Sequence, residues 1–429
     1  MGGGLLLCEY PWCYTAAMTA LTPAAAARDG NDPIFALHGE ATRRAQAGED
    51  ILNATLGALV NDDGSLAVMP SCAEAFARIP MEESAGYAPI SGRPEFRRAV
   101  IEDVFGDSGL AEQAIAVATP GCSGAVHSAF QSFLEPGQAA LTTSHFWGSY
   151  RGIASFTGRD LVTFNMFDEQ LAFDVGAFEA ALTELIQRQG RALVILNFPC
   201  HNPTGYSLDD AEWDAVSRII RDAAATAPVA VFIDYAYAAF APTAREWAQY
   251  APRMLETATL LIGWTVSKSF AQYGSRVGAL VAAHRDADER AQLESSLTFS
   301  CRSTWSNCNH AGQLAITELL TDPELREQSL AERQGLIDLL DERVNAFNEA
   351  AAEAGLTYPR YDGGFFVIVH ADDPMDIAAR MREEGVYVVP MNGAVRLALC
   401  ATPVDSIPRL VDSLAEALAA QLEDAREVV

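Results

Sequence analysis

Short apolar runs alternate with longer amphipathic stretches between about residue 95 and residue 300. Continuous apolar runs flanked by polar turns indicate strands that are buried on both faces of a sheet. Helical patterns fill several of the intervals, and one of them opens on acidic residues, which suit a helix N-terminus. This alternation predicts an α/β fold with a mostly parallel sheet covered by helices. The predicted strands are 115–119, 139–143, 192–196, 229–233, 259–263 and 277–282, and the clearest helices are 174–189 and 209–225.

The pattern changes after about residue 307, where a long helical region over 310–353 precedes shorter elements. These elements predict a smaller α+β domain with its own sheet. They comprise strands 365–369, 386–389 and 396–400 and helices 373–384 and 405–424. The predicted organisation is a disordered extension over 1–30, an N-terminal part of the small domain over 31–70, a large domain over 71–306 and a C-terminal part of the small domain over 307–429.

Charge and composition exclude some classes of function. With 29 basic and 57 acidic residues, the 429-residue chain has a net charge of -28. Nucleic acids and anionic membranes are bound by clustered Lys and Arg, so neither is an expected partner. Of the 29 basic residues, Lys268 is the single lysine. Arginine replaces lysine wherever a fixed charge suffices, but it cannot lose its proton or form a Schiff base.

Cysteine usage and the N-terminus indicate a cytoplasmic protein without a metal centre. The eight cysteines are scattered, with no C-x-x-C pair and no zinc-ligand spacing, and we interpret them as reduced thiols. Residues 1–17 lack the basic region and the long apolar run of a signal peptide. We therefore expect these residues to be a disordered extension or to precede a start at Met18, and no apolar run has the length of a membrane helix.

Lys268 follows the predicted strand 259–263, at the sheet edge where ligands of α/β proteins bind. An ordinary solvated lysine is the alternative, but no other lysine exists to support a general use of this residue type. A Schiff-base lysine, with its pKa lowered by burial and neighbouring positive charge, is the chemical interpretation.

An aldehyde cofactor such as pyridoxal 5′-phosphate requires further groups near this lysine. Candidates lie at predicted strand ends: Asp234 for the pyridine nitrogen, Tyr237 and Asn202 for the phenolic oxygen, and Trp147 as a stacking plate. The turn over 119–130 and Arg276 could bind the phosphate. Taken singly, each has a simpler alternative: a helix cap for the aspartate, a Pro-Gly turn around the asparagine and a core position for the tryptophan.

Taken in order, these segments resemble the signatures of fold-type I pyridoxal-phosphate-dependent aminotransferases, and more narrowly the aspartate and aromatic aminotransferase subgroup. The resemblance extends from about residue 50 to 400. It implies a mostly parallel, seven-stranded sheet flanked by helices, with a smaller α+β domain. The matching segments are YAPISGRPEFRRAV, TPGCSGA, HFWGSY, CHNPTG, DYAYAAF, SKSFAQYGSRVG, RSTWSN and RLALC.

The resemblance also implies roles for individual residues. Lys268 would form the cofactor aldimine and act as general base, with Asp234 and Tyr237 completing the catalytic group. The substrate would be held by Arg396 and, across a homodimer, by Arg302, which would contact a distal carboxylate. Cofactor-binding residues would be Tyr87 from the second subunit, Ser123, Gly124, Ala125, Trp147, Asn202, Asp234, Tyr237, Thr265, Lys268 and Arg276, and substrate-binding residues would be Gly57, Trp147, Asn202, Arg302 and Arg396.

Two positions depart from the family pattern, since Ala125 stands where many members have Thr and Tyr150 where many have His. The predicted function is ping-pong transamination between an L-amino acid, aspartate or glutamate in the first place and an aromatic one as an alternative, and a 2-oxo acid. A pyridoxal-phosphate-dependent lyase or decarboxylase on the same fold is a further alternative. A regulatory binding protein built on such a domain is another, but no basic recognition helix precedes the matching region.

Overall fold

The structure is a computed structural model, and it describes residues 19–28, 30–241 and 246–427. The strands are β1 Leu52–Asn53, β2 Ala114–Thr119, β3 Ala139–Thr143, β4 Asp160–Phe164, β5 Ala192–Leu196, β6 Val229–Asp234, β7 Thr259–Thr265, β8 Gly278–Ala283, β9 Phe366–His370, β10 Val386–Tyr387, β11 Val389–Met391 and β12 Ala394–Ala398. The helices are α1 Pro23–Ala26, α2 Pro33–Gln46, α3 Pro70–Ala77, α4 Met81–Ser84, α5 Pro94–Phe105, α6 Gly121–Phe133, α7 Ser149–Phe156, α8 Val175–Gln189, α9 Asp210–Ala224, α10 Ala251–Met254, α11 Val266–Ser269, α12 Ala287–Thr304, α13 His310–Thr321, α14 Pro323–Glu353, α15 Pro374–Glu383 and α16 Ile407–Glu427.

A seven-stranded sheet in the order β2-β8-β7-β6-β5-β3-β4 forms the centre of the molecule. Strand β8 runs antiparallel to both of its neighbours, and the other six strands are parallel to one another. Strands β3, β5, β6 and β8 are buried along their whole length, as their continuous apolar sequences predict. The predicted α/β fold with a mostly parallel sheet is confirmed.

One strand of this sheet has no counterpart in the sequence prediction. Strand β4 lies at the sheet edge, beside β3, and its burial alternates because Asp160 and Thr163 are exposed. A short edge strand with polar positions lacks the continuous apolar run that marked the other strands. The end of β4 and the stretch that follows it pack inward, since Phe164, Phe167 and Phe173 are all buried.

The C-terminal part contains a three-stranded antiparallel sheet in the order β11-β12-β9. The predicted strand 386–389 is in fact two strands, because Val386–Tyr387 pairs with β1 and Val389–Met391 pairs with β12. The predicted helical region 310–353 is likewise two helices, separated at Asp322. Its carboxylate caps α14 by accepting hydrogen bonds from the N–H groups of Glu324 and Leu325, and Pro323 occupies the first helical position.

The pairing of β1 with β10 joins the segment before residue 70 to the C-terminal part, and the division into domains stays a prediction. Helix α13, however, packs against α3 and α5 of the region assigned to the large domain. We therefore propose that the second boundary lies after α13 rather than at 306. Of the predicted extension, residues 1–18 and 29 lie outside the described residues, and 23–26 form the short helix α1. Within the described ranges, no helix is both long and apolar enough to cross a lipid bilayer.

Candidate active site

A cavity of about 330 Å³ opens at the carboxyl edge of the parallel strands. Loops after β2, β3, β5, β6 and β7 meet here, and β8 begins at the same edge because it runs in the opposite direction. Residues far apart in the sequence are thus brought together where ligands of open α/β sheets bind. The cavity is lined by Phe35, Cys122, Ser123, Trp147, Asn197, Asn202, Asp234, Ala236, Tyr237, Thr265, Ser267, Lys268, Tyr273 and Arg276.

Lys268 lies in the short helix α11, immediately after β7. Its Nζ donates a hydrogen bond to the carbonyl oxygen of Gly57 at 3.2 Å and lies 4.8 Å from the ring centroid of Tyr273. Burial lowers the pKa of Lys268 to about 8. A lysine with this pKa is uncharged in an appreciable fraction of molecules near neutral pH, and only the uncharged amine is a nucleophile or a base.

Asp234 ends β6 and is 4% exposed. Its Oδ2 accepts a hydrogen bond from the Tyr150 hydroxyl at 2.5 Å, and its Oδ1 lies 3.2 Å from the Cys122 thiol. Asn197 donates from its side chain to the backbone carbonyl of Asp234 at 2.9 Å, which anchors the strand end. Two separate segments thus hold the carboxylate, and a third holds the backbone of the same residue.

The loop after β5 contributes an amide to the same cavity. Asn202 Nδ2 donates to the hydroxyl oxygen of Tyr237 at 3.2 Å, and the backbone N–H of Asn202 donates to Asn197 Oδ1 at 2.7 Å. Burial raises the pKa of Tyr237, so its hydroxyl stays protonated. Trp147 lines the cavity and packs edge-on against Tyr150, with ring centroids 5.5 Å apart. The expected amide, phenol and indole thus lie in one cavity.

The corner between α6 and Arg276 has the features of an anion site. Helix α6 begins at Gly121, whose φ of +69° favours glycine, and a Cβ atom there would lie only 2.6 Å from Arg276 Nη2. Any other side chain would fill the space between the guanidinium and the helix start. Thr265 and Ser267 place hydroxyl groups 3.0 Å apart beside this corner. A helix N-terminus, an arginine and hydroxyl groups together fit a phosphate.

Two residues predicted for this corner do not line it. A Cβ at Gly124 would lie 2.4 Å from Pro120, so this glycine serves close packing inside the turn. Ala125 is fully buried in the core, and in the α-helix its N–H points to the carbonyl of Gly121, one turn earlier. Neither residue lines the cavity, whose wall at this point is formed by Cys122 and Ser123, and their assignment to the phosphate site stays a prediction.

Arg396 lies on β12 and is not among the residues that line the cavity. Its guanidinium lies 4.3 Å from the ring centroid of Phe366, and one of its nitrogens donates to the carbonyl of Thr55 at 2.7 Å. The Nε atom is buried and has no hydrogen-bond partner among the described residues. A buried guanidinium with an unused donor fits a site that receives an anionic group.

The two residues predicted to act across a dimer do not line the cavity of their own chain. Tyr87 is 92% exposed, and Arg302, on α12, is exposed and donates to the hydroxyl of Ser306 at 2.6 Å. Both were assigned to contacts across a dimer, and their roles remain predictions. Gly57 also does not line the cavity, but its carbonyl reaches the site through the hydrogen bond from Lys268.

Six residues that line the cavity were missed by the sequence prediction: Phe35, Cys122, Asn197, Ala236, Ser267 and Tyr273. Ser267 and Tyr273 lie inside the SKSFAQYGSRVG segment, and Asn197 directly follows a predicted strand, so position alone could have indicated these three. Phe35 lies on α2, 79 residues before the start of β2 at Ala114, the first strand of the large sheet, and no local pattern marks it.

The chain is similar to known proteins along most of its length. The family model described as "Aminotransferase class I and II" matches residues 49–414. The aromatic-amino-acid aminotransferase of Paracoccus denitrificans is 28% identical over 397 residues, which cover 90% of this chain and 97% of that protein.

Two solved structures are similar along nearly the whole chain. An aminotransferase from Anaerococcus prevotii DSM 20548 has a TM-score of 0.87 and 31% identity, covering 94% of this chain and 100% of the other. An aromatic-amino-acid aminotransferase from Burkholderia pseudomallei, covalently bound to pyridoxal phosphate, has a TM-score of 0.77 and 25% identity, covering 93% and 100%. The second structure contains the cofactor that the chemistry of this cavity fits.

Proposed function

Because the chain belongs to the class I and II aminotransferases, and is a pyridoxal-phosphate-dependent transaminase, we propose that it transfers the amino group of an aromatic L-amino acid to a dicarboxylic 2-oxo acid. The observation that carries the aromatic part is the position of Phe35. This side chain comes from α2, is 65% exposed and lines the cavity together with Trp147, Tyr237 and Tyr273. An apolar, aromatic wall favours an aromatic over a small polar side chain.

Pyridoxal phosphate, when bound, supplies an aldehyde and an electron-accepting ring. We propose that Arg276, Thr265 and Ser123 hold its phosphate, together with N–H groups at the start of α6. Asp234 would pair with the ring nitrogen, and the Asn202 amide and Tyr237 hydroxyl would hold the phenolic oxygen. Trp147 would cover one face of the ring.

In this proposal Lys268 moves the proton of the reaction. Its pKa of about 8 leaves a fraction of the Nζ amines uncharged, so Lys268 would be able to take up a proton from the substrate α-carbon. The Gly57 carbonyl, 3.2 Å away, accepts a hydrogen bond from Nζ and orients it. Arg396 would hold the substrate α-carboxylate through two parallel hydrogen bonds.

A screen of amino donors tests the proposed substrates. With 2-oxoglutarate as acceptor, L-phenylalanine and L-tyrosine should be transaminated with higher kcat/KM than L-alanine, and product analysis should show the 2-oxo acids of these donors. Carbon dioxide or ammonia as the main product would indicate a decarboxylase or lyase instead. Activity with L-aspartate alone would contradict the aromatic part of the proposal.

Phe35→Ala should lower kcat/KM for aromatic donors by roughly 5- to 50-fold, because the aromatic side chain of the substrate loses an apolar partner. The kcat/KM for L-aspartate should be nearly unchanged, because its carboxylate side chain makes no such contact. Steady-state kinetics with both donors measure this difference. Phe156→Ala is the matched control, since Phe156 is also 65% exposed but does not line the cavity. Equal losses with both donors in Phe35→Ala would show that Phe35 does not select the side chain.

We assign the dicarboxylic acceptor to Arg302, and we propose that Arg302 and Tyr87 of one subunit both act on the cavity of the other subunit. Arg302→Ala should raise KM for 2-oxoglutarate by roughly 10- to 100-fold and affect monocarboxylic 2-oxo acids much less. The control is Arg290→Ala, at the other end of the same helix. Similar losses for both kinds of acceptor would remove Arg302 from the distal-carboxylate site.

Mixing a chain that lacks Lys268 with a chain that lacks Arg302, and assaying at a low concentration of 2-oxoglutarate, tests whether the site is shared. In a hybrid of a Lys268→Ala chain and an Arg302→Ala chain, one cavity receives both substitutions and the other receives none, provided that Arg302 acts across the dimer. A statistical mixture should then regain about a quarter of the wild-type sites. No recovery in a mixture that size exclusion shows to be dimeric would place Arg302 in its own chain's cavity.

We also propose that the enzyme works in the cytoplasm. The described cysteines at 72, 122, 200, 301, 308 and 400 are all free thiols. Free thiols are the usual state in a reducing compartment. Targeting of a fluorescent fusion to the cell envelope would contradict this location.

A further inference from the structure

The carboxylate at the end of β6 is buried without an ion-pair partner in the described part of the chain. Three groups donate to Asp234: the Tyr150 hydroxyl to Oδ2, the Cys122 thiol to Oδ1, and the backbone N–H of Ala236 to Oδ1 at 3.3 Å. A buried charge is costly unless hydrogen bonds replace the water that it loses. Two neutral side chains, a phenol and a thiol, therefore compensate this charge.

The environment of Tyr150 keeps its hydroxyl protonated, so that the hydroxyl donates a hydrogen bond to Asp234. Tyr150 is fully buried on α7, and both burial and the negative charge of Asp234 raise its pKa far above the usual value, so its hydroxyl keeps its proton. The 2.5 Å distance to Oδ2 is typical of a hydroxyl that donates to a charged oxygen. Its ring also packs edge-on against Trp147, so one side chain supports both the aspartate and the indole of the cavity.

Cys122 donates from the opposite side. Its sulfur lies 3.2 Å from Asp234 Oδ1 and 3.4 Å from the carbonyl oxygen of Gly263, and its single hydrogen can serve only one of them. The charged carboxylate is the stronger acceptor. Burial and the Asp234 charge raise the pKa of the thiol well above its usual range, so the hydrogen is retained. A Cβ on Gly263 would lie 2.6 Å from this sulfur, so the glycine on β7 makes room for it.

We propose that Tyr150 and Cys122 are positioning residues whose hydroxyl and thiol hydrogens hold the Asp234 carboxylate in one orientation towards the cofactor ring. They reach the two carboxylate oxygens from α7 and α6, so neither oxygen can rotate away from the cavity without losing a donor. The carboxylate can then accept a further hydrogen bond from a protonated ring nitrogen. This inference rests on the proposed role of Asp234.

The two donors should also set the pH range over which the cofactor is held. Burial raises the pKa of Asp234, and the hydrogen bonds from Tyr150 and Cys122 act against this by lowering it. Removing either donor therefore raises the pKa further. As the pH falls, Asp234 is then protonated at a higher pH than in the wild type, and its pairing with the ring nitrogen is lost earlier.

The test measures the equilibrium affinity of the apoprotein for pyridoxal phosphate, from the absorbance of the bound cofactor, as a function of pH. Tyr150→Phe keeps the ring but not the donor, and should weaken binding about tenfold or more. Cys122→Ala should weaken it about threefold, and Cys122→Ser, which restores a donor, should bind with nearly wild-type affinity. In the wild type, the affinity for pyridoxal phosphate should fall on the acid side of the pH profile, which we call the acid limb. In Tyr150→Phe and Cys122→Ala this acid limb should move to higher pH.

Tyr206→Phe is the matched control. Tyr206 is another fully buried phenol that donates to a carboxylate, that of Glu212 at 2.5 Å, but it does not line the cavity. Its removal should lower the thermal stability of the protein without moving the acid limb. A purely structural role for Tyr150 predicts the same behaviour in Tyr150→Phe, and that result would overturn the inference.

Asp234→Asn separates failure of this inference from failure of the proposed role of Asp234. If Asp234→Asn binds the cofactor as tightly as the wild type, Asp234 does not pair with the ring and both statements are wrong. If Asp234→Asn binds weakly while Tyr150→Phe and Cys122→Ala behave as the wild type, only the positioning role is wrong. Should Tyr150→Phe fail to fold, the contrast between Cys122→Ala and Cys122→Ser decides.

Discussion

Lys268→Arg should abolish transamination, with a loss of roughly 1,000-fold or more, and should remove the absorbance band of the lysine-bound cofactor. Arginine keeps the positive charge but cannot release its proton, so it can neither join the cofactor aldehyde nor act as a base. Steady-state assays and the absorbance spectrum of the cofactor-loaded protein measure both losses. Retention of the band and of the activity would falsify the assignment of Lys268.

The composition of this chain makes the experiment unusually specific. Since Lys268 is the single lysine, borohydride reduction of the loaded protein should attach the cofactor to the peptide that contains it. Arg285→Lys provides the control, because it places a second, solvent-exposed lysine outside the cavity. This variant should stay active, and mass spectrometry should find Lys268 labelled and the new lysine unlabelled. Labelling of the new lysine to the same extent would show that the reaction is not specific to the cavity.

Arg396→Lys should lower kcat/KM for amino acid donors by roughly 30- to 1,000-fold, mainly through a higher KM. An ammonium cannot form two parallel hydrogen bonds to a carboxylate, and a disrupted buried charge pair costs about 2 to 4 kcal/mol. The unpartnered Nε and the burial of the guanidinium are the observations behind this expectation. Kinetics with an amino acid and with the corresponding amine, which lacks the carboxylate, measure the effect.

The amine should be almost unaffected by Arg396→Lys, because it makes no contact with the guanidinium. Arg360→Lys is the control for loss of a stacked guanidinium, since Arg360 lies 4.6 Å from the ring centroid of Tyr206 but does not line the cavity. It should change KM for neither compound. Equal losses for amino acid and amine in Arg396→Lys would mean that Arg396 supports the fold and not the carboxylate.

Most of the large sheet was predictable because its strands are buried on both faces and have continuous apolar sequences. Strand β4 was not, since an edge strand needs apolar residues only at alternate positions. The strand predicted over 386–389 was divided by pairing, because its first half meets β1, more than 300 residues earlier in the chain. A local sequence pattern indicates whether a strand is buried, but it does not indicate which strand lies beside it.

The site was predictable to the extent that its residues follow strand ends in recognisable segments. Lys268, Asp234, Asn202 and Arg276 all line the cavity as expected. Ala125 does not, because the sequence shows a glycine- and serine-rich turn but not where the helix begins. The first turn of α6 starts at Gly121, so the residues that face the cavity lie earlier than predicted.

The sequence by itself determined the α/β fold, the reactive lysine and the set of polar groups that a phosphate-bearing aldehyde cofactor needs, because burial, composition and strand ends are local properties. Tertiary structure alone decided which of these groups touch. Tyr150 and Cys122 lie 84 and 112 residues before Asp234, whose carboxylate they contact. Phe35, which lines the same cavity, lies still farther from Asp234 in the sequence. Such contacts depend on strand order and helix packing, which no short segment of sequence encodes.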